Sequence, residues 1–270
     1  MSHSRTQNGD VEIAYRVVPQ TGEPSGRTLL LIMGVMLTSS HWGEGFLASL
    51  AQHRRLVVFD NRGTGRSTKR VSTITAEAWT ADTLAVLDAV GAESVDVLGY
   101  SMGGRIAQEL ALRHPARVES LLFLASVIGG GDAVPPEPAG MAALMPRRDC
   151  APEVAVREAL TNIAGPGFAT AHADRLEQLT ALTLAQPTHG SIVGKQVAVL
   201  DSHVANELGS LRLPTMIVHG DEDPLVPVGN GRALAKCMPH AELVELTSVG
   251  HLPTWEAPEQ MREHTDRFYG

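Results

Sequence analysis

From residue 11 onward the chain alternates short apolar or β-branched runs with longer segments of helical character. The runs predict strands at VEIAYRVV (11–18), TLLLIMG (28–34), RLVVFD (55–60), SVDVLGY (94–100) and VESLLFLAS (118–126). Two more follow at PTMIVHG (214–220) and AELVELT (241–247). Several of these runs are continuously apolar, the pattern of parallel strands buried on both faces. Helices are predicted at 42–53, 75–90, 102–113, 229–237 and 256–268. The second has Thr75 as N-cap, Glu77 in its first turn and Gly91 just past its end, each suited to its place. Strand and helix alternating on this scale predict an α/β fold, a mainly parallel central sheet flanked by helices.

The alternation breaks after residue 128. Residues 129–210 hold no convincing strand; they begin with GGGD, pass through VPPEPAG and offer helices near 151–164, 170–185 and 190–207. Gly165-Pro166-Gly167 and Gln186-Pro187 punctuate them. This reads as an α-helical insert on one edge of the sheet, with a core built from 1–128 and 211–270.

Composition narrows the function classes. The 270 residues carry a formal charge of −8, with 43% hydrophobic and 19% charged residues. That excess repels phosphate backbones and anionic headgroups, so neither nucleic acid nor membrane is expected as a partner. Two cysteines, Cys150 and Cys237, cannot build a disulfide framework or a thiolate metal site. The first residues lack an apolar leader and no apolar run reaches membrane length. The expectation is a soluble protein of the cytoplasm; nothing in the pattern assigns an oligomeric state.

The strongest chemical signal is Gly99-Tyr100-Ser101-Met102-Gly103-Gly104, at a strand end and before a helix. A hydroxyl nucleophile must project from a tight strand-to-helix turn, and flanking glycines let that turn pack. The helix that follows brings its N-terminal dipole and free amides to a developing negative charge. Serine also needs a base. Of the eleven histidines, His251 in Ser248-Val249-Gly250-His251-Leu252-Pro253 lies in a loop past the last strand. His41, His114, His172, His189, His203 and His219 read as packed or solvated. The orienting acid is expected to be Asp223, in the loop after strand 214–220, with Asp221 and Glu222 as turn-forming neighbours. The chain order is Ser101, Asp223, His251. Oxyanion donors are expected from the backbone N–H of Met102 and of Val35, which follows Gly34.

Together GYSMGG, DNRGTGRS (60–67), HGDEDPLVP (219–227) and VGHLPTWEAPE (249–259) resemble the α/β-hydrolase superfamily, and the resemblance covers nearly the whole chain. It implies that the Asp60–Ser67 loop shapes the floor of the site and that the helical insert is a cap or lid. Where many members carry His-Gly at the oxyanion loop, this chain has Met33-Gly34-Val35-Met36. That form is similar to a subgroup that includes methylesterases of polyketide-type aglycones.

Met33, Met36 and Met102 gather at the proposed oxyanion site, and Met141, Leu144 and Met145 open the insert; with Tyr100 they are expected to bound an apolar pocket. The substrate is then a small apolar molecule, with no metal and no cofactor. Hydrolysis of a carboxylic ester or lactone is the first reading. Other chemistry on the same site, such as C–C bond hydrolysis, perhydrolysis, cyclisation or elimination, is the second, and a non-catalytic ligand-binding protein the third.

Overall fold

The computed structural model describes residues 3–23, 26–128, 133–145, 147, 149–200 and 205–270. The GGGD stretch at 129–132 and His203 lie outside them. Eight strands form one sheet: β1 (Ser4–Asn8), β2 (Val11–Val18), β3 (Thr28–Ile32), β4 (Arg55–Phe59), β5 (Val95–Tyr100), β6 (Val118–Leu124), β7 (Thr215–Gly220) and β8 (Glu242–Leu246). Their order is β1-β2-β4-β3-β5-β6-β7-β8. β1 and β2 pair antiparallel, as do β2 and β4; from β4 through β8 every pair is parallel.

The continuous apolar runs are buried on both faces. In β3, Leu30 and Ile32 join one core cluster, whereas Leu29 and Leu31 join the cluster on the other side. Side-chain alternation along a strand makes this the necessary outcome when helices cover both faces. On the first face lie α2 (Ala76–Ala89), α3 (Met102–Arg113) and α10 (Gly229–Cys237); on the second lie α1 (Glu44–Leu50) and α12 (Pro258–Tyr269). Thr75 caps α2 as expected, its hydroxyl accepting from the Ala78 N–H at 3.1 Å.

Between β6 and β7 the described elements are all helical: α4 (Pro138–Leu144), α5 (Pro152–Ile163), α6 (Phe168–Ala171), α7 (Ala173–Ala185), α8 (Gly190–Val199) and α9 (Ala205–Leu208). Leu160, Ile163, Phe168, Leu176 and Leu179 form a separate small core there, and Leu252 from the loop after β8 enters it. The helix expected over 256–268 is α12, starting at Pro258, and a separate short helix not expected from the sequence, α11 (Pro253–Glu256), precedes it. β1 and α4 were not expected at all. β1 is the polar edge segment SRTQN, and α4 starts at Pro138, whose missing N–H costs nothing at a first helical position. No described helix is long and apolar enough to cross a membrane.

Candidate active site

The C-terminal ends of β3, β5, β6, β7 and β8 bring the site together. Ser101 follows β5 directly at φ 55°, ψ −118° and precedes the first residue of α3. A side chain on Gly99 would stand 2.5 Å from the Gly103 carbonyl oxygen, and one on Gly103 would stand 1.9 Å from that of Ile32. The glycines are therefore what allow the turn to close against β3. Four non-glycine residues among those described have left-handed φ: Met36, Ser101, Ala125 and Ser248. All four sit in loops leaving strands at this end of the sheet. Such conformations cost on the order of 1–3 kcal/mol each and persist where surrounding structure enforces them.

His251 faces Ser101, with Nε2 3.2 Å from the Ser101 Oγ, and its Nδ1 lies 2.7 Å from Asp223 Oδ2. The other carboxylate oxygen of Asp223 accepts from the N–H groups of Leu225 and Val226, at 2.9 and 2.8 Å. All three side chains are buried. Of the neighbouring acids, Asp221 accepts from the Ser248 N–H at 2.7 Å and Glu222 is exposed, so only Asp223 meets the imidazole. With Nδ1 against a carboxylate, that nitrogen carries the ring's proton and Nε2 presents a lone pair to the serine hydroxyl.

Three further groups hold this chain of contacts: Tyr100, expected from the sequence at the pocket, His219, expected as packed or solvated, and Glu256, which the sequence does not single out. Tyr100 packs its ring 5.2 Å from the His251 ring and donates its hydroxyl to the His251 carbonyl oxygen. Burial, reinforced by Asp223, pushes the Tyr100 phenol well above its ordinary range, so it stays a donor. His219 is buried with Nε2 2.6 Å from the Val226 carbonyl oxygen and 3.6 Å from Asp223 Oδ2. Desolvation lowers its pKa, which keeps it neutral with the proton on Nε2. Glu256 accepts from the N–H groups on either side of His251, Gly250 at 2.9 Å and Leu252 at 2.8 Å, and from Gly165 of the helical segment at 2.7 Å. Burial raises the Glu256 pKa; the three N–H donors pull it down and Asp223 adds a further upward push. The Ile163 carbonyl oxygen also accepts from the His251 N–H at 2.7 Å. A glutamate five residues after the histidine was visible in VGHLPTWEAPE, but nothing local says that its carboxylate turns back.

Gly34 lies against Ser101: a side chain there would stand 3.1 Å from Ser101 Cβ. Val35 follows it. Met102 opens α3, so its N–H has no acceptor within the helix. From below, the Asp60–Ser67 loop supports this region. Asp60 is buried and accepts from Ser39 N–H, Ser39 Oγ and Arg66 N–H, Arg62 pairs with Asp82 at 2.6 Å, and Asn61 donates to the Met33 carbonyl oxygen at 2.9 Å.

Two cavities flank Ser101. The smaller, with about 80 Å³ open to the centre of a water molecule, is lined by Met36, Tyr100, Leu144, Leu160, Ile163 and His251 among others. The larger, about 410 Å³ by the same measure, is lined by Met141, Leu144, Pro135, Val197, Leu200 and Val226 among others. Val35, Ser101, Leu144 and Leu225 border both. Met33 and Met102 reach neither; both are packed in the core, on opposite faces of the sheet. Met145 reaches neither as well and is 62% exposed, beyond the end of α4.

Residues 29–264 match the model of the alpha/beta hydrolase family. Among its relatives, a poly(3-hydroxyalkanoate) depolymerase of Ectopseudomonas oleovorans is 29% identical, over 88% of this chain and 83% of that protein. A provisionally assigned carbamate hydrolase RutD of Caulobacter sp. (strain K31) is 28% identical, over 94% of each. The solved structure of Est816, an N-acyl homoserine lactone degrading enzyme, superposes with a TM-score of 0.80 at 27% identity, covering 98% of this chain and 100% of that one. The chain belongs to the alpha/beta hydrolase family and is a hydrolase of that family.

Proposed function

We propose that the chain hydrolyses a carboxylic ester or lactone with an apolar acyl or aglycone part, through a Ser101–His251–Asp223 triad. The observation that carries this reading is the continuous contact from Asp223 Oδ2 through the imidazole to Ser101 Oγ on a strained turn. His251 Nε2 takes the Ser101 proton as Oγ attacks the substrate carbonyl, and Asp223 stabilises the imidazolium that forms. The Val35 and Met102 N–H groups receive the oxyanion. Collapse expels the alcohol, protonated by His251, and water activated by the same imidazole frees the acid from the acyl-enzyme. Every step uses the chain's own groups.

The lining of both cavities supports an apolar substrate, with Met36, Tyr100, Met141 and Leu144 in contact with it. The leaving group must lie near His251, which borders only the smaller cavity, so the acyl part takes the larger one. The helical segment over both serves as the cap. The Met-Gly loop fits the same reading, since its oxyanion donor is a backbone group. The three relatives, a polyester depolymerase, a provisionally assigned carbamate hydrolase and a lactone-degrading enzyme, support a reaction at a carbonyl carbon. A cytoplasmic setting suits a chain with two cysteines, too few for a disulfide framework.

The test is a panel of esters and lactones of graded acyl and alcohol size, assayed with wild type, Ser101→Ala and His251→Ala. Hydrolysis that favours apolar acyl groups and vanishes in both variants is the expected outcome. Turnover that survives in Ser101→Ala contradicts the nucleophile, and a preference for small charged esters contradicts the substrate class.

A further inference from the structure

Met36 stands immediately after Val35 and has φ 68°, a left-handed conformation without glycine's licence. Both of its backbone groups are taken by side chains of the helical segment. The Thr188 hydroxyl donates to the Met36 carbonyl oxygen at 2.7 Å, and Gln196 Oε1 accepts from the Met36 N–H at 3.2 Å. Thr188 lies between α7 and α8, and Gln196 lies on α8. Gln196 is fully buried, and its Nε2 has no hydrogen-bond partner among the described residues. A methionine or leucine would fill that space without burying an amide, so the glutamine is accounted for by what its oxygen holds.

Peptide planes are rigid, so a loop is fixed plane by plane. The plane carrying the Val35 N–H lies between two others. The one before it is held at the Met33 carbonyl oxygen by Asn61, from the sheet side. The one after it is held at the Met36 N–H by Gln196, from the helical side, with Thr188 fixing the next. α8 has its own seat on the core: Ile192 packs against Gly63, and Lys195 Nζ donates to the carbonyl oxygens of Val71 and Ser72. The grip on Met36 is thus an addition to the docking of the helix.

We propose that Thr188 and Gln196 are positioning residues for the oxyanion hole, aiming the Val35 N–H by gripping the backbone of Met36. The proposal rests on the triad reading above and deepens it. The helical segment then does more than cover substrate: it completes the catalytic geometry, and its displacement switches the oxyanion donor out of line.

The experiment compares wild type, Thr188→Val, Thr188→Ser and Gln196→Met for ester hydrolysis and for binding of butylboronic acid, which becomes tetrahedral on an active serine. Thr188 is only half-buried, so its variants keep the test interpretable if Gln196→Met fails to fold. We expect Thr188→Val and Gln196→Met to lower kcat by ~10- to 100-fold, the range of a displaced catalytic group. KM should move little, boronate affinity should fall alongside kcat, and Thr188→Ser should restore both. Folded variants with kcat and boronate affinity at wild-type levels overturn the proposal, as does an effect confined to KM. If wild type itself binds no boronate while Ser101→Ala behaves identically, the triad reading falls and takes this inference with it.

Discussion

The sheet and the helical segment between β6 and β7 solve the same problem differently. In the sheet, β3, β4 and β5 are buried on both faces by long apolar side chains, and the backbone is paired strand to strand. The helical segment has a core of a few leucines, an isoleucine and a phenylalanine, and it borrows Leu252 from the neighbouring loop. Ile192 and Leu208 seat it in the core of the first face, and a second set of ties is polar and aimed at the site: Ile163 on the His251 N–H, Gly165 on Glu256, Thr183 on His41, Thr188 and Gln196 on Met36. A frame held by burial is hard to deform. A segment with a small core of its own, held partly by directional contacts to the Met36 and His251 loops, has less apolar burial to lose on local opening.

The largest effect expected is on the frame's reactive tip. Ser101→Ala should cut kcat by at least ~10⁴-fold with the fold intact, as removal of a triad nucleophile does elsewhere. Next comes the contrast in stability. Leu30→Ala in β3 should lower global stability by about 2–5 kcal/mol in denaturant melts, the cost of a cavity in a core that cannot collapse. Leu176→Ala, equally buried in α7, should cost less in the global transition and instead speed proteolytic cleavage within the helical segment. Equal losses in both assays would erase the distinction between the two regions.

His41 sharpens it further. It is buried against Thr38 and Thr183, and desolvation holds its pKa down to about 4. Its folded pKa lies below its unfolded one, so stability from the neutral ring is present above the unfolded value and is lost as pH falls toward the folded one. That loss should approach roughly 3 kcal/mol between pH 6.5 and 4. His41→Gln should flatten the stability profile across that window.

The smallest effect is at Glu256, and it has the opposite sign. Its folded pKa is raised, so native protein binds the proton more readily, and the residue's contribution to stability falls as pH climbs from the ordinary carboxylate range through the raised value. Glu256→Gln should therefore gain on wild type across that interval in melts. It should also lose kcat throughout, because the loop flanking His251 is held less firmly.

Much of this architecture was legible beforehand because its determinants are local. Unbroken runs such as Thr28–Ile32 and Val95–Tyr100 declare buried parallel strands, and glycines around Ser101 declare a tight turn whatever lies elsewhere. Asp223 shares one loop with Asp221 and Glu222, which read as turn-forming neighbours, and it is the one of the three that contacts His251. The polar edge strand β1 was invisible because nothing in SRTQN is apolar; it is stabilised by pairing with β2. Glu256, Thr188 and Gln196 were invisible for another reason. Met36 lies 152 and 160 residues from Thr188 and Gln196, and Glu256 joins its near neighbours Gly250 and Leu252 to Gly165, 91 residues away, so no spacing in the chain signals the set. The three methionines expected at the pocket that reach neither cavity, Met33, Met102 and Met145, show the limit of composition: a thioether suits a pocket or a core equally, and only packing decides.

The central claim is that His251 drives the Ser101 hydroxyl as a nucleophile. It is tested most directly by treating native protein with a fluorophosphonate and locating the adduct by peptide mass spectrometry. Phosphonylation of Ser101 alone, slowed by orders of magnitude in His251→Ala, is the outcome expected. Folded wild-type protein left unmodified at Ser101, or labelled as fast without His251, would contradict it.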